Sequence, residues 1–124
     1  MTEAKRYTIL IIDDEPELIH YLENFLAEHF DVLSANSGTE GYEIACSSSV
    51  DCIISDVNMP GMDCLELTKK LKSNPKSFHI PIILVSALKA ERDLIRGHES
   101  LADLYLSKPF SNDDLLVSIF GLIK

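Results

Sequence analysis

Three aspartates, a serine and a lysine are the residues of this chain best suited to chemistry. Asp13 and Asp14 are adjacent and close an apolar run in "TILIIDDEPE", residues 8–17. Asp56 closes another in "CIISDVNMPGMD", Ser86 closes "IPIILVS", and Lys108 lies in "LYLSKPF". Carboxylates brought together repel, and one pair about 4 Å apart costs on the order of 4 kcal/mol at an effective dielectric near 20. A cluster of three is tolerable if one carboxylate keeps a proton or if a cation sits among them. All-oxygen ligands suit a hard divalent cation, and Mg2+ keeps waters and readily shares a phosphate. A lysine ammonium and a serine hydroxyl both suit phosphate oxygens. A carboxylate in such company is equipped for in-line attack on phosphorus, and the product is an aspartyl phosphate.

These residues can meet only if the elements carrying them end on one edge. Apolar runs predict strands over 7–12, 31–35, 52–55, 82–85 and 104–106. Helical spacing predicts helices over 17–28, 39–47, 64–73, 90–99 and 113–123. Strands alternating with helices argue for an α/β domain built on a parallel sheet. The runs "ILII", "CIIS" and "IILV" are nearly all apolar, as strands covered on both faces should be. The segment 31–35 is more polar and is expected at an edge. In such sheets the C-terminal strand ends share one edge, and ligand sites form where the strand order reverses. In the common order 2-1-3-4-5 the reversal falls between strands one and three, which carry all three aspartates.

Local signals mark some element ends. Asp14 followed by Glu17 fits a capping box, with Pro16 suited to a first turn. Ser111 before Asp113 and Asp114 reads as another helix start. "CSSSV" and "KSNPKSFHIP" read as surface loops. Taken singly, each chemical residue has a structural explanation: Asp14 as a cap, "DVNMPGMD" as a turn, Ser86 as a strand-end serine, Lys108 as a solvated lysine, Tyr105 as a half-buried strand aromatic. The joint pattern, four strands ending in mutually useful groups, is what no single explanation covers.

Composition narrows the class. The 124 residues suit one domain, 1–124, with a real core. Acids outnumber bases 20 to 11, a formal charge of −9, which disfavours direct binding to nucleic acid or anionic lipid. No run approaches the length of a membrane span, and "MTEAKRYT" has no secretory character, so a cytoplasmic location is expected. Cys46, Cys52 and Cys64 form no CxxC pair and read as reduced packing residues. His20, His29, His79 and His98 have no metal-ligand spacing. In the first helix Leu18, Ile19, Tyr21, Leu22, Phe25 and Leu26 span an arc of roughly 160° at about 100° per residue. That arc is explained by deep burial or by a partner patch around Leu18 and Tyr21 beside the acids.

The motifs "ILIIDDEP", "IISDVNMPGMD", "IPIILVSA" and "YLSKPF", in this order, resemble the receiver domain of two-component response regulators, the CheY-like superfamily. The resemblance covers essentially the whole chain and implies a flavodoxin-like (βα)5 doubly wound sheet of order 2-1-3-4-5. It implies that Asp56 is the phosphoacceptor, with Asp14 a direct Mg2+ ligand, Asp13 a ligand through water, and Asn58 offering its backbone carbonyl. It further implies that Ser86 and Lys108 bind the phosphoryl group, that Lys108–Pro109 is a cis peptide, and that Tyr105 is the switch aromatic. The implied donor is a sensor histidine kinase or a histidine phosphotransfer protein. The implied output is a change in the face of the fourth helix, fifth strand and fifth helix, read by a downstream domain or protein. The chain is then a phosphoacceptor that assists its own phosphorylation and dephosphorylation, not a turnover enzyme. Two departures, Cys64 after "PGMD" and "LADLYL" where the family often reads "GADDYL", lie outside this chemistry; Leu101 replaces the glycine and Leu104 an acid. A Mg2+-dependent aspartyl-phosphate phosphatase is the rival reading, but such enzymes carry DxD after strand one and a cap domain. A flavodoxin-like FMN-binding module is a third, but a Ser/Thr/Gly-rich phosphate loop after strand one is missing.

Overall fold

Each apolar run ends where a charged or turn residue interrupts it, and five short strands result: β1 (Thr8–Ile12), β2 (Asp31–Ala35), β3 (Cys52–Asp56), β4 (Ile82–Ser86) and β5 (Leu104–Ser107). They pair in parallel in the order β2-β1-β3-β4-β5, the doubly wound topology expected. The computed structural model describes residues 6–56, 64–86, 102–107 and 110–123. Within these the helices are α1 (Pro16–Leu26), α2 (Gly38–Ser47), α3 (Cys64–Ser73) and α4 (Asn112–Ile123). The helix expected over 90–99 lies outside the described residues. Among the described residues no helix is long and apolar enough to cross a membrane.

The period of two along each strand divides the core into two layers. Leu10, Ile12, Ile53, Ile82 and Leu84 pack with Ala45 of α2 and Leu67 and Leu71 of α3. Ile9, Ile11, Cys52, Ile54, Ile83 and Val85 pack with Leu22 and Leu26 of α1 and Leu115 and Ile119 of α4. Burial of both faces explains why these strands alternate so little between apolar and polar residues. Each fully buried Leu or Ile contributes about 1.5–3 kcal/mol. Strand β2 is the more polar one, lies at the sheet edge as expected, and buries only Ala35 fully. Cys52 sits wholly inside; burial, helped by the nearby charge of Asp103, pushes its thiol up to about 12. It stays protonated and acts as a small apolar residue.

The helix starts show one correction. Ser111 caps α4 as expected, its Oγ accepting from Asp114 N–H at 2.9 Å. Asp14 does not cap α1. The N-cap is Glu15, in extended backbone with φ −98° and ψ 107°, and it makes no side-chain cap hydrogen bond. The cause is Pro16: it takes the first helical turn and holds the residue before it extended, so the cap position falls one residue later than a capping box at Asp14 requires. A signal passed over is Ser37 at the start of α2. Its Oγ accepts from Glu40 N–H at 3.2 Å, while Glu40 Oε1 accepts from Asn36 N–H at 3.0 Å. The loop before β4 is also less superficial than its composition suggests. Ser77 and Ile80 are buried, and Ser77 Oγ donates to Leu71 O at 2.7 Å.

Candidate functional site

Parallel register brings the first and third strands' acids together. Ile12 pairs with Ser55, so one residue further along lie Asp13 on one strand and Asp56 on its neighbour. Asp13 is held from two sides. Its N–H donates to Ala35 O at 3.1 Å, and its Oδ1 accepts from Glu15 N–H at 2.9 Å. That second bond is an Asx turn, and it steers the chain from β1 into α1. It occupies Asp13 at the helix entry and leaves Asp14, which is exposed, free of any capping duty. Asp13 is 2 % exposed and Asp56 8 % exposed.

One carboxylate oxygen from each of Asp13, Asp14 and Asp56 lies within 4.8 Å of the others. At that separation each ionised pair costs about 3.5 kcal/mol or more at an effective dielectric near 20. The donor set is all oxygen, with two carboxylates anchored in the sheet edge and one open to water. It suits a hard divalent cation that exchanges ligands with solvent better than it suits a soft metal. The question raised by adjacent acids at the mouth of the core is answered by this geometry. Asp13 is inside and Asp14 outside, and both meet Asp56.

Of the remaining sequence-selected residues, the backbone brings Ser86 to the same edge. Asp56 pairs with Val85, and Ser86 follows at the end of β4. Ser86 pairs with Ser107, after which Lys108 comes next in sequence, and Tyr105 pairs with Leu84. Asn58, Lys108 and Pro109 lie outside the described residues, as do the side chains of Ser86 and Tyr105. Tyr21 is 51 % exposed on α1, and its hydroxyl donates to Asn112 Oδ1 at the start of α4 at 2.7 Å. Leu18 packs partly into the layer between α1, α4 and the sheet. Sequence reasoning missed the Glu15 N–H that anchors Asp13. The available signal was the aspartate two residues before it, since Asx turns close over that spacing.

Known proteins similar to this chain are found at the level of family, sequence and structure. The response regulator receiver domain model matches residues 9–120. The chain is 34 % identical over 124 residues to a histidine kinase, P4, of Formosa agariphila, covering all of this chain and 9 % of the relative. It is 34 % identical over 117 residues to the transcriptional regulatory protein SrrA of Staphylococcus aureus, covering 94 % of this chain and 47 % of that one. The chain therefore spans less than half the length of either curated relative. Among solved structures it is similar to the receiver domain of a signal transduction histidine kinase from Syntrophus aciditrophicus. The TM-score is 0.86 at 33 % identity, with 94 % of this chain and 89 % of that chain covered.

Proposed function

Because this chain belongs to the response regulator receiver domain family and is a receiver domain of two-component signalling, we propose that Asp56 is its phosphoacceptor, charged by a histidine-bound phosphoryl group. The observation that carries the assignment is the convergence of Asp13, Asp14 and Asp56 on one point of the sheet edge. Mg2+ would be held by Asp13, Asp14, Asp56 and the backbone carbonyl of Asn58. When bound, the ion supplies the positive charge that lets an anionic phosphoryl group approach three carboxylates.

The chain's own residues do the rest. An Asp56 carboxylate oxygen attacks phosphorus, the P–N bond to the donor imidazole breaks, and the imidazole leaves with that electron pair and takes up a proton. Ser86 and Lys108 take the phosphoryl oxygens, as hydroxyl donor and point charge respectively. Pulling Ser86 toward the phosphoryl group opens room for Tyr105, which biases a two-state surface toward one form. That surface comprises the segment 90–99, β5 and α4. The donor is a sensor histidine kinase or a histidine phosphotransfer protein, and exposed Tyr21 with Leu18 lies on the docking side. Residues 1–124 act as one cytoplasmic receiver unit, reporting to a downstream output domain or protein. The chain takes up one phosphoryl group and assists its own phosphorylation and dephosphorylation, as a phosphoacceptor does.

The test is incubation with acetyl phosphate and Mg2+, read by intact mass. One phosphoryl group per chain is expected, with none on Asp56→Asn. Sustained hydrolysis of many phosphomonoesters would show a phosphatase instead. Incorporation that survives Asp56→Asn would put the acceptor elsewhere.

A further inference from the structure

We propose that Gly41, in α2, is a positioning residue for the cation site and acts on Asp13 through Ile12. This rests on reading the acidic cluster as a Mg2+ site. Gly41 lies inside α2, where glycine is among the least favourable residues. Its reason for being there is contact. A Cβ at this position would stand 2.7 Å from Ile12 Cγ1 and 3.3 Å from Ile12 Cγ2, and would also collide with Ile12 Cδ1. Ile12 cannot swing aside. It is 0 % exposed, enclosed with Leu10, Ala35, Ala45 and Ile53, and β-branching stiffens its χ1. Rotation would also bring one γ carbon to the place the other leaves.

Two movements remain, and both reach Asp13. If β1 yields, the backbone of Ile12 shifts and carries the next residue, Asp13, with it. If α2 lifts instead, it pulls on its own start. There Ser37 and Glu40 cap the helix, and the preceding Asn36 follows Ala35, whose carbonyl accepts the Asp13 N–H at 3.1 Å. The missing Cβ thus lets α2 press on the strand end that holds the most deeply buried carboxylate of the cluster. The sequence carries a signal for this, a glycine at an interior helical position that makes no turn.

The test measures the Mg2+ dissociation constant by calorimetry, and Mn2+ binding by paramagnetic resonance, on Gly41→Ala. Residue changes that reorient metal ligands indirectly weaken binding by up to 10–100-fold, and a backbone shift of this size is expected to weaken it about 3–10-fold. Glu43→Gly, at an exposed position of the same helix, weakens that helix without touching the packing around Ile12; it serves as the control and is expected to keep parent affinity. Adding Ile12→Val to Gly41→Ala relieves part of the crowding and should restore part of the affinity. Parent affinity in Gly41→Ala, or an equal loss in Glu43→Gly, would overturn the proposal. If Gly41→Ala does not fold, the double variant is compared with Ile12→Val alone, and equal affinities would overturn it. Failure of the parent chain to bind Mg2+ at all would instead overturn the reading of the acidic cluster.

Discussion

The two ends of the parallel sheet set the same residue in opposite surroundings. Three aspartates stand at the N-terminal strand ends, and each is answered by a hydrogen-bond donor. Asp51 Oδ2 accepts from Thr8 N–H at 2.8 Å, tying β1 to the start of β3. Asp31 Oδ1 faces Arg6 Nε at 3.1 Å. Asp103 Oδ2 accepts from Ile82 N–H at 2.8 Å and from Lys72 Nζ at 3.3 Å. At the opposite end Asp13, Asp14 and Asp56 crowd within 4.8 Å of each other. One end spends its acids on register and the other draws three of them together. The contrast is physical: donors at the strand starts fix register, whereas carboxylates brought this close favour a cation between them.

The largest effects should come from breaking the contrast at the crowded end. Asp13→Asn keeps an oxygen for the Glu15 N–H but removes a charge from the cluster. Without Mg2+ it is expected to raise stability by about 2–3 kcal/mol, less than the sum of two pair repulsions because Asp14 is solvated. Cation affinity should fall by at least about tenfold, and with it the Mg2+-dependent rise in melting temperature. Denaturation in EDTA and in Mg2+ reads both. A loss of stability in EDTA would place Asp13 in the structural class with Asp51. Next in size is Asp103→Ala at the matched end. It strands the Ile82 N–H, while Lys72 keeps its bonds to Ile80 O and Phe78 O, and a loss of about 2 kcal/mol is expected. The increment due to Mg2+ should not change. A variant that altered that increment would show the two ends to be coupled.

The contrast also explains what was legible in the sequence. The crowded end is written locally: an apolar run that stops in "DD" and another that stops in "SD" are visible without knowing any contact. Parallel pairing then does the rest, because Ile12 opposite Ser55 leaves Asp13 beside Asp56. The strands were legible to within a residue or two because burial on both faces removes polar residues from them. Fine boundaries were less so. The first helix was expected to reach residue 28 but stops at Leu26, where Phe30 N–H turns back to Leu26 O at 2.8 Å and Phe30 enters the core. The Asp14 cap was misplaced because Pro16 and Asp13 act together at that corner. The matched end was not legible at all. Its partners lie 25, 43 and 31 residues apart in Arg6–Asp31, Thr8–Asp51 and Lys72–Asp103, so only the folded chain brings them together.

The smallest predicted effect tests whether the matched end works by charge or by geometry. Arg6 Nη2 donates to Ala27 O at 2.8 Å and to Phe30 O at 2.7 Å, carbonyls that the end of α1 leaves without helical partners. Its ion pair with Asp31 is exposed at both partners, 48 % and 63 %, so water and salt screen most of its value. The backbone bonds should therefore dominate. Arg6→Ala is expected to cost about 1 kcal/mol, read as a shift in the urea midpoint. Asp31→Asn should cost only a few tenths of that. Raising the salt concentration should leave the Arg6→Ala deficit nearly unchanged, because carbonyl acceptance is far less screened than an exposed ion pair. A deficit that vanishes in high salt would mean that this edge, too, is governed by charge rather than by the capping of a helix end.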